Sequence, residues 1–382
     1  MKKIGIIGGG QLGKMMILDG KRLDSQFYVL DPTMYCPCHG ISDLHMVAGF
    51  DDVESIRRMA VMTDVLTYEF EHISVEALRE VEKAGIPVYP SSHTLSLIQN
   101  KFVQKQWLQS HGIPVPEFVR ADSPEAIRAA GRKFGYPLML KSCTGGYDGK
   151  GNYLVEKEAD AAAGFLALGG GKLPLMAEKN VPFTMEISVL ACRGIAGWKA
   201  VYPVAENHHV NSILDETIVP ARISAATQKE AGEVAERCLE AFEAVGMLCV
   251  ELFVLKDGHV LVNELAPRPH NSGHYTIEGC VTSQFEQHVR AITGMPPGST
   301  RLIGPTVMKN IIGDHEGNAN VHGLKEALQF PDVKVHLYGK EQVRPGRKMG
   351  HITACCGTLE EALRQVRAAH AAITFSDEEE EG

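Results

Sequence analysis

The chain has 382 residues, of which 44% are hydrophobic and 22% charged, with 38 Gly and 19 Pro; this is an ordinary globular composition, long enough for about two to three domains, and it excludes fibrous, collagen-like and disordered classes. Thirty-eight Lys and Arg against 47 Asp and Glu give a formal charge of −9, which opposes the long-range phosphate attraction of sequence-independent nucleic-acid binding and leaves room only for a local basic pocket. Nine scattered cysteines without a CxxC pair, a start that breaks at Gly8-Gly9-Gly10 unlike a signal peptide, and no long apolar run read as a cytoplasmic protein with reduced thiols and no membrane span.

The run Ile4 to Ile7, a glycine turn, the helical run Leu12 to Leu18 and the strand Phe27 to Leu30, ending at Asp31-Pro32, predict a β-α-β opening. Alternation continues with a helix over 53–62, a strand over 65–68, a helix over 75–84 and a short strand over 87–89. Residues 1–100 therefore read as a Rossmann-like parallel-sheet domain. A helix over 101–111, stopped by the linker-like Gly112-Ile113-Pro114-Val115-Pro116, opens a small unit over 101–185. It holds a helix over 124–134, a strand over 137–141, a glycine-rich loop, a strand over 151–156, a helix over 159–167 and a strand over 175–178. Residues 186–382 read as a larger mixed domain with one clear helix at 225–245, a small C-terminal subdomain and a solvated acidic tail, Asp377 to Glu381.

The pattern Gly8-x-Gly10-x-x-Gly13 follows a strand and opens a helix, with Asp31 at 23 residues after Gly8. This is dinucleotide spacing, but free N–H groups at a helix N-terminus favour the phosphate of NAD or of a ribonucleotide monophosphate alike, and a structural tight turn has the same pattern. A second loop, Thr144-Gly145-Gly146-Tyr147-Asp148-Gly149-Lys150-Gly151, lies between a strand ending in Lys141 and another strand. Its glycines let backbone amides approach an anion and its lysines add charge, as in a flap over nucleotide phosphates; a flexible hairpin without a ligand is the alternative. It lacks P-loop spacing.

The runs Leu248 to Leu255 and His259 to Leu265 are joined through Lys256-Asp257-Gly258. A two-residue Asp257-Gly258 turn sets Lys256 against His259 and, by the same register, Glu251 against Glu264. Opposed residues have Cβ atoms ~4.5–5.5 Å apart and like charges there repel, so a compensator is expected. It is either a hard cation such as Mg²⁺ shared with nucleotide phosphates, with Asn263 offering another oxygen, or water and a neighbouring Arg. Downstream, Arg268-Pro269-His270-Asn271-Ser272-Gly273-His274 forms an ordered turn, in which the histidines do not share a helical face as zinc ligands would. A cation and polar donors there suit an anionic acyl or phosphate species. Cys36-Pro37-Cys38-His39 has no second ligand pair at zinc-finger spacing and reads as small residues in a loop. By themselves His208-His209 and the cluster Arg344 to Lys348 read as solvated loops.

Five segments, GIIGGGQLGKM from Gly5, GGYDGKG from Gly145, ENHHVNSIL from Glu206, NELAPRPHNSGH from Asn263 and RPGRKMGHIT from Arg344, together resemble the ATP-grasp ligases. Within them the chain is similar to the 5-(carboxyamino)imidazole ribonucleotide synthase family of purine biosynthesis. The resemblance implies an α/β, three-domain ATP-grasp fold with a Rossmann-like first domain. It also implies an ADP-forming carbon-nitrogen ligase that uses ATP and bicarbonate to carboxylate the exocyclic amine of 5-aminoimidazole ribonucleotide through carboxyphosphate.

By the same resemblance, ATP lies between the central and C-terminal domains, with Lys101, Lys141 and the flap residues Gly145, Gly146, Tyr147, Asp148, Gly149, Lys150 and Gly151 on its phosphates. Glu178, Lys179, Asn180 and Val181 meet adenine, Glu186 the ribose, and His209 lies nearby. Glu251 and Glu264, beside Asn263, hold Mg²⁺, with Mn²⁺ as an alternative. Arg268 and Lys348 stabilise the carboxyphosphate charge, a role positioned cations suit. Tyr147, Asp148, His270, Asn271 and Ser272 contact aminoimidazole ribonucleotide. Its phosphate rests near Gly10, Gln11 and Leu12 and near Arg344, Arg347 and Lys348, which makes NAD unnecessary and leaves Asp31 structural. A cytoplasmic homodimer without nucleic-acid or membrane partners is implied by the family alone. Position 101 is Lys where many relatives have Arg, keeping charge but losing bidentate geometry.

Three other readings use the same residues. Another ATP-grasp enzyme, such as the formate-dependent glycinamide ribonucleotide transformylase or a biotin-dependent carboxylase subunit, is disfavoured by GGYDGKG and HNSGH. An NAD-dependent oxidoreductase leaves the flap, the opposed carboxylates and Arg268 unexplained. Intact Arg268 and Lys348 argue against a nucleotide sensor without turnover.

Overall fold

A computed structural model describes residues 1–146 and 149–376. The first unit comprises β1 (Lys3–Ile7), α1 (Gln11–Lys21), β2 (Gln26–Leu30), β3 (Leu44–Met46), α2 (Val53–Ala60), β4 (Val65–Tyr68), α3 (Val75–Lys83) and α4 (Ser92–Ile98). Its strands form a parallel sheet in the order β3-β2-β1-β4. The carboxyl ends of β1 and β4 thus lie side by side, at the end where open α/β sheets place ligands. Asp52 and Ser74 start α2 and α3 by accepting from the N–H of Ser55 and Ala77. The expected strand over 87–89 is only a bridge from Leu66 to Val88, because Pro87 and Pro90 have no N–H to give a ladder.

Next come α5 (Lys101–Ser110), β5 (Phe118–Arg120), α6 (Pro124–Phe134), β6 (Leu138–Ser142), β7 (Asn152–Val155), α7 (Ala161–Ala167) and β8 (Leu175–Lys179). The strands form an antiparallel sheet, β5-β8-β6-β7, over a core that includes Ile127, Leu138 and Leu140. Helix α5 touches this sheet through Phe102, whose ring centroid lies 5.4 Å from that of Phe118, but its apolar face packs elsewhere. Leu108 and Ile113 share a core with Val234, Phe242 and Leu248, Trp107 Nε1 donates to Ala241 O at 2.7 Å, and Val262 N donates to Pro114 O at 2.8 Å. Residues 101–114 therefore lie as a strap on the third unit.

That unit contains β9 (Met185–Arg193), β10 (Lys199–Val201), β11 (Ala205–Val210), β12 (Ile213–Val219), α8 (Ala225–Ala241), β13 (Gly246–Val254), β14 (Val260–Ala266), α9 (Thr276–Gly279), α10 (Gln284–Thr293) and β15 (Thr306–Ile312). It continues through β16 (Gly317–Asn318), β17 (Asn320–His322), α11 (Leu324–Ala327), β18 (Val333–Leu337), β19 (Gln342–Val343), β20 (Lys348–Cys355), α12 (Leu359–Ala372) and β21 (Thr374–Ser376). One long sheet runs β14-β13-β9-β11-β12-β15-β20-β18, with β10 on β9. The expected helix at 225–245 ends at Ala241, and α10 and α12 join it. The inward face of α10 carries Gln284, Gln287 and His288, all buried, so its apolar period is interrupted in the sequence. It docks the third unit on the first: Phe285 and Val289 share a core with Met16 and Phe27, and Thr67 Oγ1 lies 2.8 Å from His288 Nε2. Among the described residues no helix is long and apolar enough to cross a membrane.

The β13–β14 hairpin departs from the two-residue turn. Leu255 N donates to His259 O at 2.8 Å, so Lys256, Asp257 and Gly258 form a three-residue turn, and Gly258 takes φ +90°, the left-handed last position such a loop requires. Lys256 consequently does not face His259. Pairing then runs Val254 with Val260 and Leu252 with Val262, one residue out of the expected step. A bulge at Asn263 absorbs the difference, and beyond it Glu251 faces Glu264 and Val250 faces Leu265.

Candidate active site

A cleft of about 390 Å³ opens where the three units meet. Its floor is the hairpin, from which Glu251, Asn263 and Glu264 all face the cleft. Strict alternation would turn Asn263 and Glu264 to opposite faces; the bulge lets both point the same way. The compensator for the opposed carboxylates is a lysine: Lys101 Nζ is ion-paired with Glu264, while His270 Nε2 lies 3.1 Å from Glu251 Oε1. Burial works to raise the Glu264 carboxyl, but Lys101, Lys141 and His270 outweigh it and hold it at about 2.

Two carboxylates and the Asn263 oxygen are the hard donors that Mg²⁺ prefers. Among the described residues no group of three or more His, Cys, Asp or Glu makes a self-contained metal site. The donor set thus fits a cation whose coordination is completed by phosphate oxygens.

Lys141 Nζ donates to Glu178 Oε1 at 2.9 Å and to Asn263 Oδ1 at 3.2 Å. Lys105, which the sequence reading missed, sits 2.7 Å from Glu178 Oε2 and is 1% exposed. Burial pushes Lys105 down to about 8 even with Glu178 beside it, and the two lysines outweigh burial to keep the Glu178 carboxyl below its ordinary range. The signal was the spacing: Lys105 is one helical turn after Lys101 on the same face. Lys179, at the end of β8, and Asn180 and Val181 beyond it line the cleft. Close by, Phe183 stacks on Phe253 at 4.6 Å and 8°, a flat apolar surface suited to a planar base. Glu186 Oε2 lies 3.2 Å from His209 Nδ1, and burial raises its carboxyl. Gly145, Gly146, Gly149 and Lys150 line the cleft, and Gly151 O accepts from Ser142 N at 2.8 Å to anchor the loop base. Tyr147 and Asp148 lie outside the described residues.

The cleft is also lined by Arg268, His270, Asn271 and Lys348. Arg268 is gripped from the first unit: its Nε lies 3.0 Å from Glu71 Oε1 and its Nη2 donates to Glu71 Oε2 at 3.1 Å. Asn271 exchanges amide hydrogen bonds with Asn310 at 3.0 and 2.6 Å. Ser272 is 1% exposed and its hydroxyl accepts from Ser188 Oγ at 2.8 Å, so it stands behind the residues that line the cleft.

The first glycine loop also departs from expectation. Glu69 Oε1 accepts from Gly10 N and Glu69 Oε2 from Gly13 N, the latter at 2.7 Å. The positive end of α1 is filled by the protein's own carboxylate, the group a bound phosphate would replace. A Cβ at Gly10 would run into that carboxylate, and Leu12 is buried in the core, whereas Gln11 at the helix start stays partly exposed. Asp31 accepts from Gly9 N at 2.8 Å and Thr33 N at 2.7 Å, tying the turn. Cys38 N donates to Gly9 O at 3.0 Å, and Cys36 and Cys38 are buried against the same turn. Arg344 and Arg347, which precede Lys348, are outside the cleft lining, and Arg347 Nη1 folds back onto Gln342 O at 2.7 Å. Glu69 and Glu71 were missed, although their place at the carboxyl end of a parallel strand was the available signal.

Comparison with known proteins agrees with this geometry. The ATP-grasp domain matches residues 106–285, the ribonucleotide synthetase preATP-grasp domain residues 1–99, and the phosphoribosylaminoimidazole carboxylase C-terminal domain residues 306–365. The N5-carboxyaminoimidazole ribonucleotide synthase of Bacillus subtilis (strain 168) is 42% identical over 352 residues, covering 92% of this chain and 90% of that protein. The crystal structure of N5-carboxyaminoimidazole ribonucleotide synthetase from Thermotoga maritima matches with a TM-score of 0.90 and 43% identity over 99% of this chain and 100% of that one. N5-carboxyaminoimidazole synthase from Aspergillus clavatus, solved with ADP and 5-aminoimidazole ribonucleotide, matches with a TM-score of 0.90 and 38% identity over 97% of this chain and 98% of that one. The chain belongs to the N5-carboxyaminoimidazole ribonucleotide synthase family of ATP-grasp ligases.

Proposed function

We propose that this protein is the ADP-forming ligase that carboxylates the exocyclic amine of 5-aminoimidazole ribonucleotide at the expense of ATP, with bicarbonate as the carbon source. The observation that carries this is one cleft lined both by Glu251, Asn263 and Glu264 and by Arg268 and Lys348, a lining that suits nucleotide phosphates and a second anionic centre within one enclosure. Mg²⁺, held by Glu251 and Glu264, would neutralise charge on the transferring phosphoryl group.

The chain's own residues do the rest. Lys141 and the Gly145 to Gly151 loop hold the phosphates, and the Phe183–Phe253 surface takes the base. A bicarbonate oxygen attacks the γ-phosphorus, the bond to ADP breaks, and carboxyphosphate forms; Arg268 and Lys348 face the charge that develops on it. Carboxyphosphate splits to CO₂ and phosphate, the substrate amine attacks the CO₂ carbon, and the amine proton leaves as the carbamate forms. Closure against water matters because carboxyphosphate hydrolyses. With a cation held by Glu251 and Glu264, Lys101, paired with Glu264 in its absence, would be free to face the nucleotide phosphates. The substrate phosphate is placed beside Gln11 and Lys348, since Glu69 already holds the amides of the glycine turn. We propose a homodimer on family resemblance alone.

The test is phosphate release from MgATP and bicarbonate with and without aminoimidazole ribonucleotide, with glycinamide ribonucleotide plus formate as control. Release stimulated by aminoimidazole ribonucleotide and dependent on bicarbonate supports the reading; stimulation by the control pair overturns the substrate, and silence throughout overturns the ligase.

A further inference from the structure

Strand β15 reads Thr-Val-Met-Lys-Asn-Ile-Ile from Thr306 to Ile312. Its asparagine is out of place: Asn310 is fully buried in a run otherwise rich in Val, Met and Ile, where Asn is disfavoured and a buried amide needs partners for its polar atoms. It has them. Asn310 Nδ2 donates to Leu214 O on β12 at 2.7 Å and to Asn271 Oδ1 at 2.6 Å, and Asn310 Oδ1 accepts from Asn271 Nδ2 at 3.0 Å. Of the two amides it is Asn271 that lines the cleft, and Asn310 stands behind it.

The backbone carbonyl of Leu214 sets the orientation of both amides. A carbonyl only accepts, so the Asn310 nitrogen faces it and the Asn310 oxygen is left for Asn271. Asn271 must then turn its nitrogen to that oxygen and its own oxygen to the Asn310 nitrogen; either amide turned over would set oxygen against oxygen. The pairing uses one N–H of Asn271, and among the described residues the other has no partner. The backbone of the turn is held separately, by Gln284: His270 N donates to Gln284 Oε1 at 2.9 Å, and Gln284 Nε2 donates to His270 O at 2.7 Å. Asn310 therefore governs the side-chain amide of Asn271 and not the course of the chain that carries it.

We infer that Asn310 is a positioning residue that locks the Asn271 amide in one orientation, with a single N–H left to donate to an acceptor atom of the nucleotide substrate. This rests on the reading of Asn271 as a contact to aminoimidazole ribonucleotide. A side chain already held in place loses little freedom when the ligand arrives. A fixed donor also discriminates: it favours a ligand with an acceptor at that place over one that presents an N–H. ATP is read against Lys141, Glu251 and Glu264, so the effect of Asn310 falls on one substrate and not on the other.

The experiment measures phosphate release by the full chain with each substrate varied in turn. Asn310→Leu, close in size and without polar atoms, should raise the KM for aminoimidazole ribonucleotide about tenfold with the ATP KM within about twofold. Asn271→Ala should do the same, and the double variant should be no worse than Asn271→Ala alone, because Asn310 acts through that side chain. If Asn310→Leu does not fold, Asn310→Ser takes its place, and a rise of about threefold is expected because the hydroxyl keeps part of the bonding. The hold itself is read without turnover: hydrogen exchange of the Asn271 side-chain amide, its ¹⁵N signal identified by its absence in Asn271→Ala, should be about tenfold slower in the unaltered protein than in the Asn310 variant. Equal rises in the two KM values, additive losses in the double variant, an unchanged KM for aminoimidazole ribonucleotide in Asn271→Ala, or equal exchange in both proteins each overturns the inference. Absence of any stimulation by aminoimidazole ribonucleotide in the unaltered protein would instead fail the proposed function, and the exchange measurement would still decide whether Asn310 holds Asn271.

Discussion

Arg268 and Glu71 meet across the boundary between the third and first units in a two-point grip, with Nε 3.0 Å from Oε1 and Nη2 3.1 Å from Oε2. Burial disfavours the guanidinium, but Glu71 outweighs it and holds Arg268 above its ordinary range. A cation built to face a transient anion is thus oriented by a residue nearly two hundred positions away. Arg268→Ala should lower kcat about a hundredfold with a small change in ATP KM, since its proposed partner exists only during reaction. Glu71→Gln keeps the shape and removes the grip, and should lower kcat about tenfold. Steady-state kinetics of both single variants and the double variant check this: Glu71→Gln should add little on top of Arg268→Ala. A proportional rise in ATP KM with kcat intact moves Arg268 out of the chemistry.

Glu264→Gln removes one of the two opposed charges. We predict at least a tenfold (~1.4 kcal/mol) loss of turnover at saturating ATP and a rise in the Mg²⁺ needed for half-maximal rate. A Mg²⁺ titration that superimposes on that of the unaltered protein places the cation elsewhere.

Lys101 neutralises Glu264 before nucleotide arrives. Lys101→Met leaves Glu251 and Glu264 opposed without it. In EDTA the variant should lose about 1–2 kcal/mol of stability, less than for a fully buried pair because Glu264 is partly open to the cleft. Millimolar Mg²⁺ should raise the unfolding temperature of the variant more than that of the parent. Equal responses in differential scanning calorimetry count against the carboxylates as ligands.

Glu206 lies away from the cleft and gives a pH prediction. Burial opposes its ionisation, but Arg222, donating from its backbone N–H and guanidinium, and His208 hold the carboxyl at about 2. As pH falls, the unfolded chain takes up this proton first, so the stabilisation is complete above the ordinary carboxylate range and is lost between about pH 4.5 and pH 2. It amounts to at most about 3 kcal/mol. Glu206→Gln should flatten that part of the stability profile; equal acid slopes for the two proteins in urea melts refute the assignment.

Much of the fold was legible because its elements carry local signals. β4 spans Val65–Tyr68 and α6 Pro124–Phe134, where turn residues and caps bound clean apolar periods. What was not legible depends on partners far along the chain. The inward face of α10 is amide and imidazole, so its period is hidden until β4 and β13 supply Thr67 and Met247 N as partners for His288. At the site, motif residues such as Lys141, Glu251 and Glu264 could be named from their own spacing. Glu69, Glu71 and Lys105 could not, because each is defined by what it neutralises: an N-terminal turn, a guanidinium, a buried carboxylate. Ser272 shows the converse. Its place inside the HNSGH motif pointed toward substrate, whereas the short 3₁₀ turn from Asn271 to Gly273 sends its hydroxyl inward.

The opposition of Glu251 and Glu264 was expected from a two-residue turn, yet it stands on a three-residue turn with a bulge at Asn263. The facing pair does not itself depend on the bulge: with Leu252 against Val262, a strand lacking Asn263 would run straight on to Glu264 opposite Glu251. What the extra residue adds is a second oxygen donor on the same face, because Asn263 and Glu264 both line the cleft where strict alternation would offer one of them. The irregularity of this strand is therefore a way of setting two neighbouring donors side by side, and its loss would thin the donor set while leaving the two carboxylates opposed.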